Sequence, residues 1–197
     1  LDITDQQLLE LLVKGNELAF KQFYDRYSSK VYNTLLSYTK NAEDAEELLQ
    51  DVFLTIYNSA SVYRSESKVS TWVYRISVNK SLDFLRKKNS QKRFGIFSSL
   101  YRKDTGEIQF EAVDFMHPGV KLENQEEAKI LFQVIDSLSE NQKTAFILTQ
   151  IEDLPQQEVG EIMKITRKAV ESLVQRAKAN LKNELEKNTL TEGFKEN

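Results

Sequence analysis

Five residues in one short stretch, Trp72, Arg75, Asn79, Asp83 and Arg86, step by 3, 4, 4 and 3 positions. On a helix that spacing puts them on one face. The face carries an indole, an amide and two guanidiniums. Such a set suits single-stranded nucleic acid, because unstacked bases stack on aromatics and arginines hold phosphates, while amides read base edges. Tyr63 and Arg64 lie just ahead of it. A base taken out of the stack needs a stacking wall and a hydrogen-bonding group; Tyr63 and Asn79 supply one of each. Taken alone, Trp72 reads equally as a core residue. Val73, Tyr74, Val78, Phe84 and Leu85 fall on the other side of the same helix and are expected to pack inward.

A second set lies near the end of the chain. Two short helical patterns are separated by Lys164-Ile165-Thr166, and the second is longer and basic. That is the helix-turn-helix pattern. With Val170, Leu173, Val174 and Ala177 buried, Arg167, Lys168, Glu171, Ser172, Gln175, Arg176 and Lys178 point outward. Arginine and lysine bond phosphates or guanine edges, glutamine pairs with adenine, and glutamate accepts from cytosine. The competing reading is a helical hairpin with a charged, solvated face.

A third set, Glu46, Glu47, Gln50 and Asp51, forms the acidic side of an amphipathic helix. It suits a basic protein surface, or simply water. Enzyme chemistry has little to work with. Cysteine is absent and the single histidine, His117, lies in an irregular stretch. No glycine-rich phosphate loop, zinc motif or nucleophile elbow is present, so no cofactor, metal site or small-molecule substrate is expected.

Long helices must hold these side chains. The 197 residues include only 2 prolines and 6 glycines, which leaves few turn signals, and 40% are hydrophobic, enough to form real cores. No apolar run is long enough for a bilayer, no signal peptide is recognised, and a cytoplasmic site is expected. The net charge of −3 argues against a free-standing nucleic-acid binder, but the charges are segregated. From Arg64 to Arg93 the bases are opposed only by Glu66 and Asp83, whereas Asn41 to Asp51 carries acids alone. Such separation points to different partners on different faces, with a mosaic of solvated faces as the alternative.

Thr4 to Gln7 has the form of a capping box ahead of Leu8, Leu9, Leu11 and Leu12. Phe20, Phe23, Tyr27, Val31, Leu35 and Tyr38 make a second helical row, ended by Lys40-Asn41. Leu48, Leu49, Val52, Phe53, Ile56 and Tyr57 make a third. The fourth helix is expected over Val69 to Lys88. Periodicity then dissolves to about Leu122, a stretch with recurring Phe94, Phe97, Tyr101, Phe110 and Phe115. It returns with Ile130, Val134, Ile135 and Leu138, then with Ala145, Ile147, Leu148 and Ile151. Pro155 opens the helix of Val159, Ile162 and Met163, and Thr166 caps the last. The expected fold is all-α: two small helical domains, residues 1–90 (four helices) and 125–187 (helix-turn-helix), joined by a linker at 91–124 and followed by a tail at 188–197.

With these residues in hand, the chain resembles bacterial sigma factors of the extracytoplasmic-function (ECF) type. "AEELLQDVFLTIYNSASVYRSESKVSTWVYRISVNKSLDFLR" is similar to the family's core-binding and promoter-melting segment. "LSENQKTAFILTQIEDLPQQEVGEIMKITRKAVESLVQRAKANL" looks like its C-terminal helix-turn-helix. The resemblance covers about Leu8 to Leu185 apart from the linker. It implies a specificity subunit of RNA polymerase, with no catalytic site of its own, that recognises and melts the −10 element and reads the −35 element. By position, Glu47, Gln50 and Asp51 would contact the clamp helices of core polymerase. Tyr63 and Asn79 would line the pocket of a flipped non-template base, with Arg64, Trp72, Arg75 and Arg86 supporting that surface or holding the strand. Arg167, Lys168, Glu171, Ser172, Gln175 and Arg176 would face the −35 major groove, and the face around Gln142 to Ile151 would meet the polymerase flap. An anti-sigma factor, often membrane-bound, is a typical partner. The sequence departs from the family pattern at Thr55, Lys164, Glu171 and Leu173, which bears on promoter sequence rather than role.

Two other readings fit parts of the pattern: a conventional helix-turn-helix regulator with a helical sensor or dimerisation domain, and an enzyme or helical adaptor. A conventional regulator binds duplex DNA by itself, usually as a dimer on paired half-sites. The Tyr63 loop and the helix after it are features a duplex reader does not need.

Overall fold

In the computed structural model the backbone is described for residues 3–101 and 125–192, and side chains for residues 3–91 and 131–186. The rest of the stretch read as linker, the side chains of its aromatics, and the end of the tail lie outside the described residues. All regular structure among the described residues is helical: α1 (Asp5–Val13), α2 (Glu17–Thr39), α3 (Ala42–Ser59), α4 (Val69–Tyr101), α5 (Gln125–Ser137), α6 (Glu140–Phe146), α7 (Gln156–Met163) and α8 (Arg167–Glu192).

Local chemistry sets the first three boundaries. The Gln7 amide donates to Thr4 Oγ1 at 3.2 Å and the Thr4 amide to Gln7 Oε1 at 2.9 Å, closing the expected capping box. Gly15, at φ 77°, turns the chain out of α1. Asn16 and Asn41 cap α2 and α3, accepting from the Ala19 and Asp44 amides at 3.0 and 2.9 Å. Asp5 then pins α1 to α2, taking bonds from Arg26 and the Tyr27 hydroxyl, each at 2.5 Å.

The rows read from the sequence are buried: Leu8, Phe23, Tyr27, Val31, Leu35, Val52 and Ile56 form the core of the first half. Thr34, Ser37, Ser77 and Ser81 are also fully buried. Each of these hydroxyls donates to the carbonyl four residues back, at 2.9–3.0 Å. Small side chains satisfied on their own helix let α2 and α4 bury these four polar positions, whereas the Thr71 hydroxyl of α4 is buried without a partner.

Helix α4 runs 13 residues past Lys88, to Tyr101, into the stretch read as irregular. Residues 89–93 are polar, but Phe94, Phe97 and Tyr101 then resume a 3–4 spacing, and the segment contains one glycine and no proline, so nothing in the backbone stops the helix. Likewise α8 continues beyond residue 187.

The two halves are not separate bodies on a string. One buried cluster joins α1–α4 to Phe132, Ile135, Leu138, Phe146 and Ile147 of the second half. The other joins Tyr74 and Val78 of α4 to Ala145, Leu148, Val159, Ile162, Val170 and Val174. The Tyr38 hydroxyl is buried and donates to Thr144 Oγ1 at 3.1 Å across this seam, and Lys40 pairs with Asp136. Tyr74 and Val78 are buried as expected, but beneath the C-terminal half rather than in the core of their own. A helical period reports burial and says nothing of which body provides it.

Candidate nucleic-acid interface

The side chains singled out on α4 divide between two environments. Tyr63 and Trp72 come together, ring centroids 5.1 Å apart and planes tilted 46°. Both are half-buried against the core, and the Tyr63 hydroxyl donates to the Ser67 carbonyl, bracing the loop that carries the ring. Trp72 is thus a supporting wall behind Tyr63 rather than a free platform beside Arg75. Arg64 next to it is exposed.

Two turns further along, about 10 Å at 1.5 Å per residue, Asn79 is exposed in a cleft of about 340 Å³. Arg75, Val78, Asn141, Met163 and Lys164 share its lining. Tyr63 does not line this cleft, so in the closed arrangement Asn79 and Tyr63 do not share one pocket. Arg75 donates through Nε and Nη2 to the Glu161 carbonyl, at 3.2 and 2.7 Å. That oxygen belongs to the last turn of α7, where carbonyls project partial negative charge. Arg86 makes a two-pronged contact with the Glu140 carboxylate, Nε to Oε1 at 3.1 Å and Nη2 to Oε2 at 2.7 Å. Its fork fits carboxylate and phosphate alike. The same bonds hold the Glu140 carboxyl below the usual carboxylate range. Ser70 donates to Glu158 Oε1 at 3.2 Å. Two cations of the face assembled for nucleic acid, Arg75 and Arg86, are therefore engaged by carbonyl and acidic oxygens of the second half, while Asn79 and Arg64 stay exposed.

The second set is open. Gly160 lets the helix-turn-helix close, because a Cβ there would stand 2.9 Å from the Ile165 carbonyl oxygen. Lys164 makes the turn in the left-handed region at φ 57°, and Thr166 caps α8, accepting from the Ala169 amide at 3.2 Å. Val159, Ile162, Val170 and Val174 lock α7 to α8. Arg167, Lys168, Glu171, Gln175 and Arg176 are exposed on one stretch of α8, with Ser172 half-buried at its edge.

On α3, Glu47, Gln50 and Asp51 are exposed as read. Sequence reasoning missed their apolar neighbours: Leu54 is 60% and Tyr57 50% exposed. Leu54 lies four residues beyond Gln50, outside the buried stripe; that offset was the available signal. Tyr57 was assigned to the stripe, but it sits at its rim, its ring edge-on to Phe20 at 5.7 Å. Acidic and large apolar groups thus stand side by side in water on this face of α3. By contrast, Gln142 to Ile151 is mostly buried. Only Phe146 and Gln150 of that stretch reach a groove of about 780 Å³ along α8, lined by Leu131, Leu181 and Leu185.

Residues 23–91 match the sigma-70 region 2 family model and residues 128–181 the sigma-70 region 4 model. The chain belongs to the ECF sigma factors of the sigma-70 family. It is 30% identical over 186 residues to the ECF RNA polymerase sigma-E factor of Haemophilus influenzae, covering 93% of this chain and 96% of that one. To the sigma-E factor of Escherichia coli it is 26% identical, covering 93% and 95%. Among solved structures, CnrH in complex with the cytosolic domain of CnrY has a similar fold (TM-score 0.63, 20% identity, 92% of this chain and 97% of that chain). So does Bartonella quintana RpoE in complex with the anti-sigma factor NepR (TM-score 0.61, 20% identity, 85% and 96%). As an ECF sigma factor the chain is an RNA polymerase sigma factor, a subunit for promoter recognition in transcription initiation. The region 2 match contains the α3 and α4 faces, and the region 4 match contains the exposed start of α8. No helix among the described residues is long and apolar enough to cross a membrane.

Proposed function

We propose the following division of labour for this sigma factor. The α3 surface of Glu47, Gln50 and Asp51, extended by Leu54 and Tyr57, seats core polymerase. Tyr63, braced by Trp72, stacks on a base of the −10 non-template strand, with Asn79 reading a base edge and Arg64, Arg75 and Arg86 holding phosphates. Arg167, Lys168, Glu171, Ser172, Gln175 and Arg176 read the −35 duplex, and the groove beside Phe146 and Gln150 meets the polymerase flap. The chain acts in the cytoplasm, performs no catalysis of its own, and is held in reserve by an anti-sigma factor, as the complexes of CnrH and RpoE suggest.

The observation that carries this reading is the coexistence, in one chain, of an exposed duplex-reading helix start and a Tyr63–Trp72 pair braced for stacking. A duplex reader needs only the first. Binding of the chain to promoter DNA, measured with and without core polymerase, tests it. Specific binding and strand opening are expected only with core. Tight, sequence-specific duplex binding by the isolated chain as a dimer would overturn it.

A further inference from the structure

The seam between the halves engages Arg75 and Arg86 through Glu161 and Glu140 and flanks the exposed Asn79, and it contains a poorly accommodated carboxyl. Glu152 follows the single π-turn Ile147–Ile151 and is directed at α2. Its Oε1 is buried without a hydrogen-bond partner. The groups around it are the Thr34 hydroxyl and Lys30 of α2, Tyr38 of α2 and Tyr74 of α4. The Thr34 hydroxyl, which donates to the Lys30 carbonyl at 3.0 Å, eases the ionised carboxyl only in part. A protonated carboxyl needs little from such a site, whereas an ionised one loses its hydration there. We infer that this seam is a proton-gated latch: with Glu152 protonated the C-terminal half stays closed over the melted-strand face of α4, and with Glu152 ionised it opens.

The inference rests on the reading of α4 as the −10 face, for which the latch is the masking device. Two further observations support it. First, burial pushes the Glu152 carboxyl up to about 7, against the opposing pull of Thr34 and Lys30. Second, the closed form cannot read a promoter. The −10 and −35 elements lie about 25 base pairs apart, roughly 85 Å at 3.4 Å per base pair. A compact chain of this length has a radius of gyration of about 16 Å, and here α4 touches α6 through Arg86 and Glu140 at 2.7 Å. Reading both elements requires the halves to part. The exposed ion pairs orient the closure more than they stabilise it; burial of Tyr74 and Val78 against Leu148, Val159 and Ile162 supplies the adhesion.

The sign follows from the direction of the shift. Because Glu152 titrates higher when closed, closure takes up a proton. The Glu152 contribution to closure is full below the ordinary value of 4.5, is lost as pH rises towards about 7, and is flat above. The expected loss is up to about tenfold in the closing equilibrium per pH unit within that window. Below it, Glu140, whose carboxyl titrates lower when closed, gives up its Arg86 contact and works the other way.

The chain has no cysteine, so Asn58→Cys and Ala179→Cys, both at exposed positions, place a fluorophore pair across the seam of the full-length protein. Energy transfer should fall between pH 5 and 7. Binding of a labelled dT20 strand should rise over the same range, against the ordinary trend for a chain that becomes more acidic. Glu152→Gln should stay closed throughout and bind dT20 at the low-pH level. Thr34→Val should move the wild-type midpoint upward. Energy transfer that is constant from pH 5 to 8, or a Glu152→Gln protein that keeps the wild-type profile, would overturn the latch. Neither result touches core-dependent transcription, which stands or falls by its own assay.

Discussion

Asn79 is the residue on which promoter melting and simple packing make opposite predictions. It is exposed and belongs to neither core cluster. Asn79→Ala should therefore leave the thermal midpoint unchanged and core affinity within about twofold. It should cut open-complex formation by roughly tenfold, the size of one lost base contact of about 1–3 kcal/mol. Equal losses in core binding and melting, measured by native-gel shift and 2-aminopurine fluorescence, would make Asn79 structural. The amide was legible in the sequence because helical spacing alone aligns it with Arg75 and Arg86. Trp72 was legible only in part: its position on that face followed from the spacing, but its tilt into the core depends on the Tyr63 loop, which has no period. Glu152 carried no signal, since one glutamate after an apolar run reads as a solvated helix end until a second helix is laid over it.

Among the elements, α3 and the α7–α8 pair make separate predictions. Leu54 is exposed and adjoins Asp51, so Leu54→Asp should preserve folding and weaken core binding by at least about tenfold, about 1.4 kcal/mol, in a titration of labelled core. Gly160 sits where α7 and the turn meet, with the Ile165 carbonyl 2.9 Å from any added Cβ. Gly160→Ala should cost about 1–3 kcal/mol and lower the melting midpoint, while Gly15→Ala meets no atom within 4 Å and carries only the strain of its positive φ. Boundaries set by capping chemistry, at Thr4, Asn16, Asn41 and Thr166, were readable because the cap is local. The end of α4 was not, because the polar run Asn89–Arg93 interrupts the apolar row before Phe94, Phe97 and Tyr101 resume it, and Gly95 reads as a break.

For the whole molecule, the segregated charges acquire an internal partner. The basic face of α4 meets Glu140 and Glu158 and the carbonyl end of α7, so part of the complementarity a promoter would offer is already met within the chain. The sequence implied two helical bodies and left their placement open, since Tyr74 and Val78 announce burial without naming what covers them. The pH dependence argued from Glu152 belongs to this scale: closure should be strongest near pH 4.5–5, weakening above as Glu152 ionises and below as Glu140 protonates. The measurement that tests the central claim most directly is run-off transcription from a promoter library with purified core polymerase, with and without this chain. The account predicts discrete transcripts only when both are present, and their reduction by roughly tenfold with Asn79→Ala. Transcripts independent of the chain, or none in its presence while the isolated chain binds duplex sites as a dimer, would contradict it.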